Sequence, residues 1–220
     1  MLSITIDPAI REKCPLLTLD ILQCAVSVSG ENESFWQYVE KTLAEVRDTF
    51  HVDEISKIPA ILKAREAYKA LGKDPSRYRL SAEALLRRVL QGKGLYKVNN
   101  AIDILNIISI RSGISIGGYD ADKIRGDIGL SKAGENIAYT AIGRGLLNIE
   151  NLPVLFDSAG FFGNPTSDSE RTCVTEETRN FVMVFFNFEG SETVRAWLDE
   201  SERLLIQYAK AKEFFRIQEH

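Results

Sequence analysis

Hydroxyls, carboxylates and a single arginine crowd the stretch Gly163-Asn-Pro-Thr-Ser-Asp-Ser-Glu-Arg-Thr-Cys-Val-Thr-Glu-Glu-Thr178. A carboxylate held beside an ester can act as general base on water or orient that water, and this stretch offers Asp168 and Glu170, with Ser167 and Arg171 beside them. It runs between two apolar segments that read as buried strands, Leu152–Phe156 and Phe181–Phe186, so its polar groups are delivered to one end of a packed layer. Its Gly, Asn, Pro, Ser and Asp content equally suits a plain surface connection.

A second polar set lies on residues 99–112, a segment apolar nearly all round, as a buried helix is. It carries Asn100, Asp103, Asn106 and Ser109 at every third position, which lines them along one side. Buried polar groups left unpaired cost about 1 to 3 kcal/mol each, so this stripe must pair, either with neighbouring loops or with a ligand. Glu135, after the turn Lys132-Ala-Gly134, is a further candidate acid. Glycine-rich backbone near Gly117 and Gly163 could offer amides to a developing oxyanion.

Other chemistries drop out. The two histidines, His51 and His220, cannot build a histidine metal cluster or an imidazole triad in one pocket. Cys14, Cys24 and Cys173 are odd in number and lack CxxC spacing, so free thiols are expected, with no disulfide framework and no zinc. The chain has no GxxxxGK loop, no GxGxxG after a strand, no GxSxG and no HExxH, and no metal or cofactor is expected. No window approaches the roughly 18 apolar residues of a membrane span, and the start lacks a basic and apolar leader, which points to a cytosolic protein with no membrane partner.

The net charge of −4 hides an asymmetry: between Lys57 and Lys97 eleven Lys or Arg face three acids, +8, leaving −12 for the rest. With Tyr68, Tyr78 and Tyr96 interleaved, the segment suits a basic face able to grip phosphates and stack bases, or else the solvated faces of amphipathic helices.

Alternation and apolar runs predict strands at Leu2–Ile6, Ile21–Val28, Ala138–Ile142, Leu152–Phe156 and Phe181–Phe188. Helices are predicted over 34–50, opened by a capping box at Ser34-Phe-Trp-Gln37, over 58–71 behind Pro59, over Ser81–Leu90, over 99–112, and from Ser191 to about Arg216. After Gly113 the chain reads as turn-rich, with Gly117-Gly-Tyr-Asp120 and Ile124–Ile128, which suggests short strands and hairpins. The uneven grouping gives an α+β class rather than a regular βαβ repeat. One core is expected, with residues 1–75 as a strand and helix extension packed on it and 76–220 as the main domain.

The order of several short motifs resembles a known family. Asn99-Asn100, Asp103-Ile-Leu-Asn106, Gly113, Tyr119-Asp120, Ile124, Gly126, Gly134-Glu135, Gly145, Asp157 and Ser169-Glu-Arg-Thr-Cys-Val174 with Thr178 look like the B3/B4 domain of the phenylalanyl-tRNA synthetase beta subunit, over roughly residues 76–190. The chain is also similar to small stand-alone proteins built on that domain. The resemblance implies a β-sheet or sandwich core flanked by helices, and a site that hydrolyses tyrosine mischarged on the phenylalanine tRNA, without any aminoacylating activity. It places Glu170 where the family has the acid that recognises the amino-acid moiety and helps position water, and Arg171 where the family usually has histidine. Asn106 matches the family's pocket asparagine, beside Asn99, Asn100, Asp103, Gly117 and Ser167 as substrate-binding candidates. Leu105 stands where the family has threonine, and Gly117 where it has histidine. Arg77, Arg79, Arg87, Arg88, Lys93 and Lys97 would hold the RNA, an aminoacylated tRNA whose amino-acid moiety enters the pocket. A non-catalytic module that binds tRNA or an amino acid is the alternative the same residues allow.

Overall fold

The structure is a computed structural model that describes residues 3–30, 33–190, 192 and 194–219. The fold is α+β, as expected: six α-helices and ten strands among the described residues.

The chain opens with β1 (Ile4–Ile6) and α1 (Pro8–Lys13), whose start is fixed by Asp7 accepting the Ala9 amide and by Pro8 in the first turn. After β2 (Thr18–Ala25) come four helices: α2 (Glu33–Thr49), α3 (Pro59–Ala70), α4 (Ser81–Leu90) and α5 (Asn100–Ser112). Helix α5 is cut at both ends by its sequence: the Asn99 side chain accepts the Ile102 amide, and Gly113 takes φ 72°. Strands β3 (Ser115–Asp120), β4 (Ile128–Lys132), β5 (Ala138–Ala141), β6 (Gly145–Asn148), β7 (Pro153–Asp157), β8 (Gly160–Gly163) and β9 (Asn180–Asn187) follow, then α6 (Val194–Ala209) and β10 (Lys212–Glu219).

One sheet runs β10-β2-β9-β3, all antiparallel, and a second runs β1-β4-β7-β8, parallel only at β1–β4. Strand β9 lies inside the first sheet and is buried from Phe181 to Asn187, which is why it reads as an unbroken apolar run. Tyr119 of β3 meets Phe162 of β8 edge-on, ring centroids 5.0 Å apart, so the two sheets touch where the polar loop begins. Helix α5 packs on β3, flanked by α4 and α6. Hairpin β5-β6 is tied to that loop by an Ala141–Ser169 bridge.

Four expectations need correction. The last segment is no single helix: α6 stops at Ala209, Lys210 takes φ 50°, and β10 returns to pair with β2. Lys210 is an ordinary residue in a glycine-like conformation, so no stop signal precedes the strand. Strand β2 starts at Thr18 and ends at Ala25, because Val26 and Ser27 leave the ladder to bond Arg179 and Ala209. Gly117 and Gly118 lie inside β3 rather than in a turn. Ser34 lies in the first turn of α2 rather than at its cap, while Leu2, Ser191 and position 193 fall outside the described residues. No described helix is long and apolar enough to cross a membrane.

Candidate active site

The loop leaving β8 is held by side chains from three separate elements. Asn164, itself buried, accepts the amides of Thr166 at 2.7 Å and Ser167 at 3.2 Å and donates to the Tyr139 hydroxyl. Tyr139 in turn donates to the Ser167 carbonyl at 2.6 Å. Tyr68 of α3 pairs with Thr166 at 2.9 Å, and Tyr119 of β3 donates to Asp168 Oδ1 at 2.6 Å. Main-chain bonds add to this: Ser169 donates to Phe162, and Ile142 of the hairpin donates to Asp168. A loop bound on so many sides presents its remaining groups in one geometry.

Glycines make the room for this. A side chain at Gly117 would place its first carbon 2.0 Å from the Tyr119 hydroxyl, and one at Gly163 would place it 2.1 Å away. The tyrosine that orients Asp168 therefore occupies the space two side chains would need. Burial raises the pKa of Tyr119 and Tyr139, aided in both by the nearby Asp168 charge, so both hydroxyls stay protonated donors.

Asp168 keeps a partial opening, but protein packs it closely on the other sides. That desolvation pushes its carboxyl up to about 7, against the lowering effect of hydrogen bonds from Tyr119 and the amides of Gly118 and Asn164. A carboxyl that exchanges its proton near neutrality is suited to general acid–base work. The Gly118 amide is spent on Asp168, and Gly117 and Gly163 sit within strands, so these glycines do not form the loop of amides expected for an oxyanion.

Asp168 opens onto a cavity of about 980 Å³, large enough for a sizeable ligand. Its floor is apolar, from Leu85, Val98, Ile102, Leu105, Ile116 and Val174. Asn106, Thr166, Ser167, Asp168 and Glu170 contribute the polar groups, and Arg79, Arg87, Arg88, Lys93 and Arg144 the positive ones. Helix α5 and the loop after β8 thus meet at one hollow. Among the described residues, the side chains of Asn106, Ser167 and Glu170 make no hydrogen bond or ion pair with protein.

The other expected site residues are engaged elsewhere. Asn99 caps α5. Asn100 accepts the Ser29 amide and donates to the carbonyls of Ser27 and Tyr208 at 3.0 and 2.9 Å. Asp103 accepts the Val98 amide, and burial first of all raises its pKa to about 6. Ser109 donates to Ile114. The stripe is therefore a structural network along most of its length; only Asn106 reaches the cavity. A repeat of three falls short of 3.6 residues per turn, so the stripe winds away from any one surface.

Arg171, expected at the reacting end, spans both carboxylate oxygens of Asp157 at 2.9 and 3.0 Å and donates to the Gly160 carbonyl, outside the cavity lining. Asp157 is thereby held below the usual carboxylate range despite its burial. Gly117 faces Tyr119, and Glu135 is exposed in the turn before β5; neither lines the cavity. Of the basic set, Arg77 and Lys97 lie outside the lining, Lys97 with its ammonium 5.0 Å from the Trp36 ring centre. Tyr68 is buried and Tyr78 lies beneath the Lys73 ammonium, so of the three tyrosines in the basic segment only Tyr96 lines the cavity. Arg144 went unread, though a lone cation between Gly143 and Gly145 at a hairpin tip was a usable signal. Among the described residues no three His, Cys, Asp or Glu side chains gather as a metal site would require.

Two sheets flanked by helices, with a polar-walled hollow between one helix and one loop, define an α+β domain with an open cavity. The B3/4 domain family matches residues 63–204, and the chain belongs to that family. In structure the whole chain is similar to an N-terminal fragment of the phenylalanyl-tRNA synthetase beta subunit from Pyrococcus horikoshii, with TM-score 0.50 and 14% identity. The chain spans 54% of that fragment, and the likeness is one of fold. No curated protein sequence matches.

Proposed function

We propose that this domain binds the aminoacylated end of a tRNA and hydrolyses the ester of a mischarged amino acid in trans. The observation that carries this reading is the set Asn106, Ser167 and Glu170: polar groups at one cavity, above an apolar floor, that the protein itself leaves without partners. They reach solvent around one cavity, so a ligand can take them in exchange for water alone, with no bond inside the protein to break. Membership of the B3/4 family and a fold shared with a synthetase fragment support RNA as the partner.

In this reading the amino-acid side chain rests on Ile102, Leu105 and Ile116 near the Asn106 amide. Glu170 binds the amino-acid moiety and orients a water, and ionised Asp168, held by Tyr119, accepts the proton of that water as it attacks the ester carbon. As the C–O bond breaks, Asp168 passes that proton to the leaving ribose oxygen, so the amino acid departs as the free acid and the tRNA keeps its ribose hydroxyl. A second site of this kind is needed wherever a synthesis pocket admits a near-isostere, because one added hydroxyl is rejected by only about 10².

Amino-acid release from a panel of mischarged tRNAs tests the proposal. At least one should be discharged by the wild type; if the panel stays charged while uncharged tRNA binds, the hydrolytic reading fails. A non-catalytic tRNA- or amino-acid-binding module then takes its place. One observation favours that second reading: Leu105 lines the cavity with hydrocarbon, and the Tyr119 ring lies where a side chain at 117 would project.

A further inference from the structure

Large aromatic side chains in this chain are mostly covered; Tyr96 is 64% exposed. It lies between α4 and α5 and lines the cavity on the side of the cations. The Arg88 guanidinium stacks on the ring, 3.8 Å from its centre, and donates to the Tyr96 hydroxyl and to the Lys93 carbonyl at 3.0 and 3.2 Å. The ring is thus fixed from one side by a cation, and its exposed side is a flat, oriented π surface.

Cations around it are in surplus. Glu83, only 2% exposed, holds Arg65, Arg79 and Arg87 at 2.8, 3.6 and 3.4 Å, one negative charge among three positive ones. The Nε atoms of Arg87 and Arg88 are sheltered and have no acceptor. Among the described residues, Lys93 and Arg144 make no ion pair and no side-chain hydrogen bond, and both line the cavity with Tyr96. A fixed aromatic face beside unpaired cations is the arrangement that binds single-stranded nucleic acid, whose bases stack and whose phosphates need charge.

We propose that this rim is the docking site for the unpaired 3′ end of an RNA: a base stacks on Tyr96, with flanking phosphates against Lys93 and Arg144. That the strand ends here rests on the hydrolytic reading, which needs a terminal ribose beside Glu170. Glu83 acts as a positioning residue that keeps Arg79 and Arg87 at the rim.

Fluorescence titration with a short single-stranded RNA carrying 2-aminopurine as its 3′-terminal base tests the site. Wild type should quench the fluorophore; Tyr96→Ala should weaken binding about tenfold, while Tyr96→Phe stays within about threefold, since the ring is kept. Lys93→Gln with Arg144→Gln should flatten the dependence of affinity on salt. Tyr96 is exposed, so unchanged melting temperatures should accompany these variants. No quenching by wild type, equal affinity for Tyr96→Ala, or adenosine monophosphate binding as tightly as the RNA would each overturn the proposal. Tyr96-dependent RNA binding by a protein that discharges no tRNA would keep this site and remove the hydrolytic one. Hydrolysis indifferent to Tyr96→Ala would do the reverse.

Discussion

The polar stripe of α5 and the loop leaving β8 look alike in composition, and they are used in opposite ways. Asn99, Asn100, Asp103 and Ser109 all bond to main chain, tying α5 to the segments around Ser27, Val98, Ile114 and Tyr208. In the loop, Asn164 and Arg171 are likewise consumed, but Ser167 and Glu170 are left to face the cavity, joined there by Asn106. Residue type does not separate the two sets; whether the fold supplies a partner does.

The sharpest way to break this division is through its consumed members, whose loss should appear as instability. Arg171→Ala leaves the Asp157 carboxylate buried without its guanidinium and should cost about 3 kcal/mol in chemical denaturation. If that variant is as stable as wild type, Arg171 has been misassigned to structure. Asn100→Ala removes partners from one amide and two carbonyls and should cost about 2 kcal/mol.

A pH effect comes next. The Asp168 carboxyl ordinarily titrates at 3.8 and in the fold at about 7, so the native state holds a proton that the unfolded chain has lost between those values. Stability from this group is therefore greatest at low pH and falls as pH rises towards 7. Across pH 6 to 8 the decline should be about 1.4 kcal/mol, and Asp168→Asn should abolish it. The smallest stability effect belongs to Asn106→Ala, within about 0.5 kcal/mol, since no bond inside the protein is lost. Its cost should appear instead in substrate KM.

Much of the fold was legible. Helices α3, α4 and α5 match their expected bounds to within a residue or two at each end, because Pro59, Asn99 and Gly113 punctuate the chain where hydrophobic periodicity changes. What escaped depended on contacts distant in sequence. Strand β10 exists because β2 offers an edge, and the Phe214 to Ile217 pattern fits a helix face as readily as a strand. Gly117 and Gly118 read as a turn, since nothing local says that the Tyr119 ring and Leu105 will press on them. The meeting of α5 with the loop after β8 followed from motif order, yet which asparagine arrives there did not. That choice is made by helical phase and by the carbonyls of Ser27 and Tyr208, which claim Asn100.

The most direct test of the account compares Glu170→Gln with wild type in single-turnover hydrolysis of a mischarged tRNA, alongside thermal melting of both. A rate lower by about 10² or more at an unchanged melting temperature is expected, because in the proposed mechanism Glu170 holds the substrate, while among the described residues its side chain makes no hydrogen bond or ion pair. Equal rates would contradict it.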